Sequence, residues 1–470
     1  MALITSQEAR VARHKLFWTD EGHEIAEACG ASYASLLLHG ARPQVNPAPL
    51  YFILEKLVVG RVPRFDESIL VSYRVISLGA AALTLAVLYA VVLFRLGMAP
   101  ALFALGSLAS QPLFHRYAAE NRPYMVWIFC FTIAVLAIAD AASRRWTELG
   151  RLRRIALSVA CLALSMAALP GALQAAAGLA VCATLWHREP LTSGRSFWWW
   201  LLPLASATLA LGFWYGRATS WTYEASHLDL LRSRDPGRLL AEVFALLMPR
   251  NAESLGGHAL VLAGLVVFFR RAAAPHSPPA HYARVLGFVV AAELALTVVL
   301  GLEIVRRGYY FIPRLFLYLM VCRALLIALG AWTVLAAVER VASPRLRLAA
   351  ASAAVAIGCL GVAFAVDRLV AEGDETRAAY PPWPATSSCA AWEGTLIVDT
   401  EPGVDPAVGP NVVVRLGEER RRCGWRSSPE THHVLALSER AAEGWYRLSA
   451  ERRPGAVPLQ QCGRPVVVSP

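Results

Sequence analysis

The chain has 470 residues, of which 56% are hydrophobic and only 17% are charged, and its mean hydropathy is +0.46. A soluble globular domain carries about 25% charged residues; here the apolar residues form long runs, so the composition indicates a polytopic membrane protein. The net charge of +11 comes almost entirely from arginine, which membrane proteins collect in cytoplasmic loops. We expect no nucleic-acid binding, because no polar segment has a basic stripe with interleaved aromatic residues.

The opening segment, residues 1–68, is polar and contains an acidic cluster of Asp20, Glu21 and Glu24. One interpretation is chemical: a carboxylate beside a membrane can act as a general base on an acceptor hydroxyl or amine, or bind a divalent cation. The other is structural, because acidic side chains also favour the start of a helix, here predicted over residues 22–38.

Farther along the same segment, residues 46–51 read Asn-Pro-Ala-Pro-Leu-Tyr. Two prolines fix an extended entry, and a helix with several apolar positions follows. This pattern predicts an amphipathic helix at the lipid surface with an aromatic anchor.

A membrane-spanning helix needs about 20 mostly apolar residues. The sequence predicts a transmembrane region over 69–368 with spans at 69–95, 98–115, 123–140, 154–168, 171–187, 197–215, 256–270, 284–304, 314–338 and 346–366. Two of these are short, 154–168 and 256–270, and short spans can extend into flanking residues, tilt or re-enter.

Arginines concentrate in the loops around residues 144–154, 188–195, 270–284 and 340–347, which fall on one side of the membrane. The positive-inside rule makes that side cytoplasmic and places the opening segment and the tail outside. Because residues 1–17 do not read as a signal peptide, we expect a further apolar helix upstream of Met1, or else a miscounted span.

Two outer segments combine arginine with aromatic residues and proline: residues 116–124, which contain Arg122 and Tyr124, and residues 308–314, which end at Arg314. Arginine donates bidentate hydrogen bonds to phosphate. The alternative is a short loop whose long side chains extend to the membrane interface. Within the spans, Glu293 and Arg323 lie at comparable depth on consecutive helices, which favours a structural ion pair.

The tail, residues 369–470, is predicted to be a small extracytoplasmic α/β domain. Its β-prone runs are 395–399, 411–416, 432–437 and 465–469, with a helical run near 441–449. Three cysteines fall there, Cys389, Cys423 and Cys462, of which two could pair if the tail is outside. The five cysteines in spans are expected to act as small hydrophobic residues.

The order of these motifs resembles the GT-C superfamily of membrane glycosyltransferases: an acidic pair, a Pro-x-Pro-Leu-Tyr segment, Arg74 opening a span, and Asn-Arg-Pro-Tyr at 121–124 opening another. The similarity is to the bacterial branch related to protein O-mannosyltransferases and the lipid A aminoarabinose transferase. It covers residues 17–125 by motif and the remainder by topology. Ala48 stands where that branch has a second proline, and the first transmembrane helix of the family has no counterpart.

This resemblance implies an all-α membrane protein of the bacterial inner membrane, with its active site on the extracytoplasmic face. It implies an inverting transfer of a sugar from a polyprenyl-phosphate donor to an unspecified acceptor. Asp20 would be the base, with Glu21 as the alternative; Arg74, Arg122, Tyr124 and Arg314 would bind the donor phosphate. No cofactor is certain, and a divalent cation is one option. A transporter or flippase of lipid-linked sugars is the alternative function, and an inactive membrane scaffold is a third.

Overall fold

A computed structural model describes most of the helical part of the chain. The described residues are 2–15, 21, 24–25, 28, 31–39, 49–59, 69–144, 148–168, 170–186, 194–218, 236–248, 255–269, 277–306 and 313–379, with short strand segments between 395 and 468.

The described residues are mostly helical. In chain order the helices are α1 (Ala2–His14), α2 (Tyr33–His39), α3 (Pro49–Val59), α4 (Ile69–Leu96), α5 (Met98–Ala109), α6 (Pro112–Ala118), α7 (Tyr124–Ala142), α8 (Arg151–Ala167), α9 (Gly171–Trp186), α10 (Gly194–Ala218), α11 (Pro236–Leu247), α12 (Leu255–Phe269), α13 (Pro278–Arg306), α14 (Leu319–Val341) and α15 (Pro344–Ala379). A 3₁₀ turn, Pro313–Phe316, precedes α14.

Each predicted span coincides with helical structure. Within the described residues, five helices are long and apolar enough to cross a membrane: those at Val71–Leu96, Tyr124–Ala142, Pro278–Leu302, Leu319–Val341 and Pro344–Asp374. The predicted span 98–115 is divided into α5 and α6. The division falls at Pro112, which has no N–H for the preceding turn but suits the first turn of a new helix.

Helices α7 and α14 form the centre of the bundle, and α15 lies at its edge. The most apolar stretch is 78% buried in α7 and 67% buried in α14, but only 11% buried in α15. Helices α12 and α14 touch through their backbones at Gly264 and Gly330, where a Cβ atom would collide with the carbonyl groups of Leu326 and Leu260. Small residues give apolar helices this close approach.

Beyond α15, the described part of the tail consists of short strands: β1 (Thr395–Thr400), β2 (His432–Leu437), β3 (Tyr446–Ser449), β4 (Val457–Pro458), β5 (Gln460–Gln461), β6 (Arg464–Pro465) and β7 (Val467–Val468). One sheet has the order β3-β2-β1-β4, with β7 also paired to β1, and β5 pairs with β6 separately. Strands β1 and β2 are parallel, with Thr395 opposite His432.

Strands β1 and β2 lie where the sequence predicts strands, but the predicted helical run near 441–449 is wrong in its second half. Residues 446–449 form β3, which pairs antiparallel with β2; aromatic residues favour a pleated strand when a partner strand is available. The predicted strand 411–416 and the three tail cysteines lie outside the described residues. A separate α/β domain beginning at 369 stays a prediction, and α15 continues through that boundary to Ala379.

Candidate functional site

Buried charged and polar groups gather at one end of the bundle, which we call the site end. Here α4 and α7 begin and α6 ends. Residues 21, 24, 25 and 28 of the opening segment are helical and buried there, and α1 and α3 also contribute side chains. The described parts of the polar opening segment are therefore folded against the transmembrane helices.

The Arg74 side chain on α4 connects three parts of this region. Its Nε and Nη2 donate hydrogen bonds to Oε1 and Oε2 of Glu21, each at 2.9 Å, and neither side chain is exposed. Its Nη1 donates to the carbonyl oxygen of Ala12 at 2.7 Å and to that of Lys15 at 2.5 Å. All three guanidinium nitrogens of Arg74 are thus engaged within the protein, which attaches α1 and Glu21 to α4.

Asn121, in the turn between α6 and α7, connects Glu21 to α3. Its backbone N–H donates to Glu21 Oε1 at 2.6 Å, and its side-chain Nδ2 donates to Glu55 Oε1. The hydroxyl of Tyr51 donates to Asn121 Oδ1 at 2.9 Å. All four side chains are completely buried, so this network fixes the positions of α3, the turn and the acidic segment relative to one another.

Arg122 lies two residues before α7, and its described contacts include Glu24 and Tyr124. Its Nη1 lies 2.6 Å from Glu24 Oε1, and its Nη2 donates to the Tyr124 hydroxyl at 3.3 Å. The Arg122 Cζ also lies 5.4 Å from the centre of the Tyr124 ring. The structure therefore brings together two of the residues predicted to bind phosphate, Arg122 and Tyr124, with an acidic residue of the predicted cluster.

A second acidic centre lies beside Asn121. Glu120 is 1% exposed; its Oε1 accepts from Lys15 Nζ at 2.5 Å and from Arg116 Nε at 3.2 Å. Among the described residues, its Oε2 has no hydrogen-bond partner. The Arg116 side chain is 55% exposed, so its guanidinium lies at the accessible edge of the site end.

Burial changes the acidity of several groups at the site end, including Glu55 and Lys15. Loss of water raises the pKa of Glu55 to about 8, although the hydrogen bond from Asn121 opposes the rise. Glu55 is therefore mostly protonated at neutral pH. Burial also lowers the pKa of Lys15, and the contact with Glu120 opposes that change.

Two predicted site residues cannot be placed. Asp20 lies outside the described residues, and only the backbone of Arg314, in the 3₁₀ turn before α14, is described. In the described ranges, no group of three or more His, Cys, Asp or Glu side chains could hold a metal ion.

Two structural expectations are corrected. Tyr51 and Phe52 are completely buried, so α3 does not present them to lipid as an aromatic anchor; Tyr51 is used inside the protein by Asn121. Glu293 and Arg323 do not form the predicted ion pair. The Arg323 guanidinium points toward α5, where its Nη1 donates to Ser107 Oγ at 3.0 Å, while Glu293 Oε2 has no hydrogen-bond partner in the described structure.

Sequence reasoning assigned no role to Glu55 or Glu120. Glu55 had one usable signal: it follows Tyr51 by four positions, so the two side chains share a face of α3. Glu120 directly precedes the Asn-Arg-Pro-Tyr motif, and this position was its usable signal. The contact of Glu120 with Arg116 is local, at four positions. The contacts of Glu55 with Asn121 and of Glu120 with Lys15 could not be deduced, because they join segments far apart in the chain.

No protein-family model matches the sequence, and no curated protein matches it in sequence. Solved structures do resemble its fold. The apo structure of ArnT from Cupriavidus metallidurans matches with a TM-score of 0.52 at 12% identity, covering 94% of this chain and 92% of that one. ArnT bound to undecaprenyl phosphate matches with a TM-score of 0.43 at 14% identity, covering 95% and 96%.

The arabinosyltransferase EmbB from Mycobacterium smegmatis matches with a TM-score of 0.45 at 16% identity, covering 82% of this chain and 42% of that one. The apo ArnT structure aligns over nearly the whole of both chains. The chain therefore has the fold of ArnT, which agrees with the resemblance found in the motifs.

Proposed function

We propose that this protein transfers a sugar from a polyprenyl-phosphate donor to an extracytoplasmic acceptor, in the inner membrane of a bacterium. The observation that carries the proposal is the buried network at the site end: Glu21 with Arg74, Asn121 with Glu55, and Arg122 with Glu24. A network of this kind positions the N-terminal ends of α4 and α7 beside the lipid headgroups. The phosphate of a membrane-anchored donor would lie at the same level.

The geometry divides the predicted site residues into two roles. Both carboxylate oxygens of Glu21 are bonded to Arg74, and the pair is completely buried. We therefore assign Glu21 and Arg74 a structural role and keep Asp20 as the proposed base. Arg122 and Tyr124 remain the proposed ligands of the donor phosphate, with Arg314 as a further candidate.

In the proposed reaction, Asp20 takes the proton of the acceptor hydroxyl or amine as that group attacks the anomeric carbon. A new bond forms to the anomeric carbon, and the bond from that carbon to the phosphate oxygen breaks with inversion. The electron pair leaves with the polyprenyl phosphate. Arg122 stabilises the growing negative charge on this leaving group, because a fixed cation in a site poor in water needs little reorganisation.

The donor class is proposed from the resemblance and from the position of Arg122 at the start of a membrane span. Undecaprenyl phosphate is the lipid in one of the ArnT structures, and it gives the first probe to use. The test is to incubate the purified protein in lipid nanodiscs with a panel of radiolabelled polyprenyl-phosphate sugars and membrane extracts containing acceptors. Label that moves from the donor to a new product supports transfer; intact donor with every sugar contradicts it.

A further inference from the structure

His115 lies in α6, close to the site end, and both nitrogens of its ring face hydrogen-bond acceptors. Its Nδ1 lies 3.2 Å from Oε1 of Glu8 on α1. Its Nε2 contacts the carbonyl oxygen of Ala109, the last residue of α5. The side chains of His115 and Glu8 are 3% and 0% exposed. This contact joins α1 to the bundle, and the proposed reaction does not use it.

The two acceptors determine which protonation state fits. A neutral imidazole has one N–H group and one lone pair, whereas an imidazolium donates from both nitrogens. The carbonyl oxygen of Ala109 can only accept, so Nε2 carries a proton. At 3.2 Å, the Nδ1 contact with Glu8 lies within the range of N–H donors, about 2.7–3.2 Å, and beyond that of O–H donors to oxygen, about 2.5–3.0 Å. The geometry therefore fits a charged His115 beside an ionised Glu8.

We propose that His115 and Glu8 form a pH-sensitive latch, in which the proton on Nδ1 holds α1 against α5 and α6. Raising the pH removes that proton, and the Nδ1 lone pair then faces the Glu8 carboxylate with no hydrogen between them. Among the described residues, the other oxygen of Glu8 has no hydrogen-bond partner. A buried carboxylate without a donor is costly, so α1 undocks and Glu8 returns to water.

Release of α1 would reach the site end, because α1 and the residue after it hold two of the groups there. The carbonyl oxygens of Ala12 and Lys15 accept from Arg74 Nη1 at 2.7 and 2.5 Å. The Lys15 Nζ donates to Glu120 Oε1 at 2.5 Å. Opening the latch would therefore remove acceptors from Arg74 and the buried cation from Glu120.

Other charged groups on the elements packed against α6 are paired with one another, and α5 contains none. The pairs are Lys15 with Glu120, Arg10 with Asp374, Arg74 with Glu21, Arg116 with Glu120, and Arg122 with Glu24. Burial lowers the pKa of Lys15, so its effect has the opposite sign: docking of α1 would strengthen as the pH rises. The raised pKa of Glu55, about 8, acts in the same direction as the latch, so the test compares variants at each pH.

The test measures undocking of α1 and needs neither donor nor acceptor, so it is independent of the proposed transferase. Ile4 on α1 is 1% exposed and Leu3 beside it is 57% exposed. A thiol-reactive dye should label Ile4→Cys only after undocking and Leu3→Cys in both states. Site-resolved mass spectrometry gives the ratio of the two rates, in which the pH dependence of thiol reactivity cancels. We expect this ratio to rise about tenfold between about pH 5.5 and 8.5, the range in which histidine changes charge.

Glu8→Gln tests the shared proton. The amide of this variant can donate to the lone pair of a neutral imidazole, so α1 docks without the proton and the rise in the ratio should vanish. The matched control is Asp374→Asn, which replaces another carboxylate that contacts α1, in the exposed pair with Arg10; it should keep the rise. A ratio that does not depend on pH, a rise that Glu8→Gln retains, or a rise that Asp374→Asn abolishes would overturn the proposal.

A second measurement covers a folding defect in Ile4→Cys. The wild type and Glu8→Gln, without added cysteines, would be melted at several pH values over the same range. The contribution of Glu55 is common to both proteins, so the latch predicts that the wild type loses more stability than Glu8→Gln as the pH rises. An equal loss in the two proteins would show that His115 and Glu8 share no proton that holds α1.

Discussion

Removing the charge of Glu21 tests whether its pair with Arg74 holds the site end together. Glu21→Gln preserves the shape of the side chain but leaves one oxygen in place of two. An amide NH₂ group then faces a guanidinium N–H, and the buried Arg74 loses its two charge-assisted hydrogen bonds to Glu21. The backbone N–H of Asn121, which donates to the same carboxylate at 2.6 Å, loses strength as well.

The expected magnitude follows from burial and geometry. Two hydrogen bonds of 2.9 Å join side chains with no exposed surface, and breaking one partner of a buried ion pair costs about 3–5 kcal/mol. The melting temperature in detergent should therefore fall by several degrees. Because Cys359 is free and exposed, the readout is labelling by a thiol-reactive dye resolved site by site. Cys130, Cys161, Cys182 and Cys322 are free and buried and react only when the bundle opens.

An exposed ion pair gives the matched control. Arg10 lies 3.2 Å from Asp374, and their side chains are 42% and 62% exposed. Exposed pairs contribute less than about 1 kcal/mol, so Asp374→Asn should melt close to the wild-type temperature. The double variant Glu21→Leu with Arg74→Met should recover part of the stability. If Glu21→Gln also melts like the wild type, the buried pair does not organise the site end.

Three further changes test other parts of the structure. The pKa of Glu55 is raised from 4.5 to about 8, so between these pH values the folded protein holds a proton that the unfolded chain releases. The free energy of unfolding should therefore fall as the pH rises from about 4.5 to 8, by at most about 1.4 kcal/mol per pH unit. Glu55→Gln should remove this slope in melting measurements across that range; an unchanged slope would contradict the assignment. Arg122→Lys keeps a positive charge near Glu24 but loses the planar guanidinium that can donate two hydrogen bonds to one phosphate. The apparent donor affinity should therefore fall about tenfold, and wild-type affinity would exclude Arg122 as a phosphate ligand. Glu293→Gln should melt at or above the wild-type temperature, since Glu293 Oε2 has no partner among the described residues, and a large loss of stability would reveal a partner.

The sequence predicted the spans because hydropathy and length alone determine them. It placed the ends of α4 and α7 within two residues. The break between α5 and α6 was missed, although Pro112 marks it, because the apolar run continues past the proline. The tail was harder: residues 446–449 suited either a helix or a strand, and pairing with β2 decided the outcome.

The candidate site was predictable in its residue types but not in its pairings. Arginine before a span and acidic residues in a polar segment were visible in the motifs. The motifs did not reveal the partner of Arg74, because Glu21 lies 53 positions away along the chain. No pattern of spacing indicates a contact at that separation. Equal depth suggested that Glu293 and Arg323 pair, yet depth does not determine the direction in which a side chain points from its helix.

The most direct test of the central claim is sugar transfer by the wild type and by Asp20→Asn in the same preparation. The purified proteins would be incubated with a radiolabelled polyprenyl-phosphate sugar and an acceptor fraction, and the released polyprenyl phosphate measured. The account predicts transfer by the wild type and a loss of about 10²-fold or more in the variant, with donor binding retained, as expected for removal of a general base. Full activity of Asp20→Asn would contradict the proposed base, and the absence of transfer by the wild type with every donor would contradict the glycosyltransferase itself.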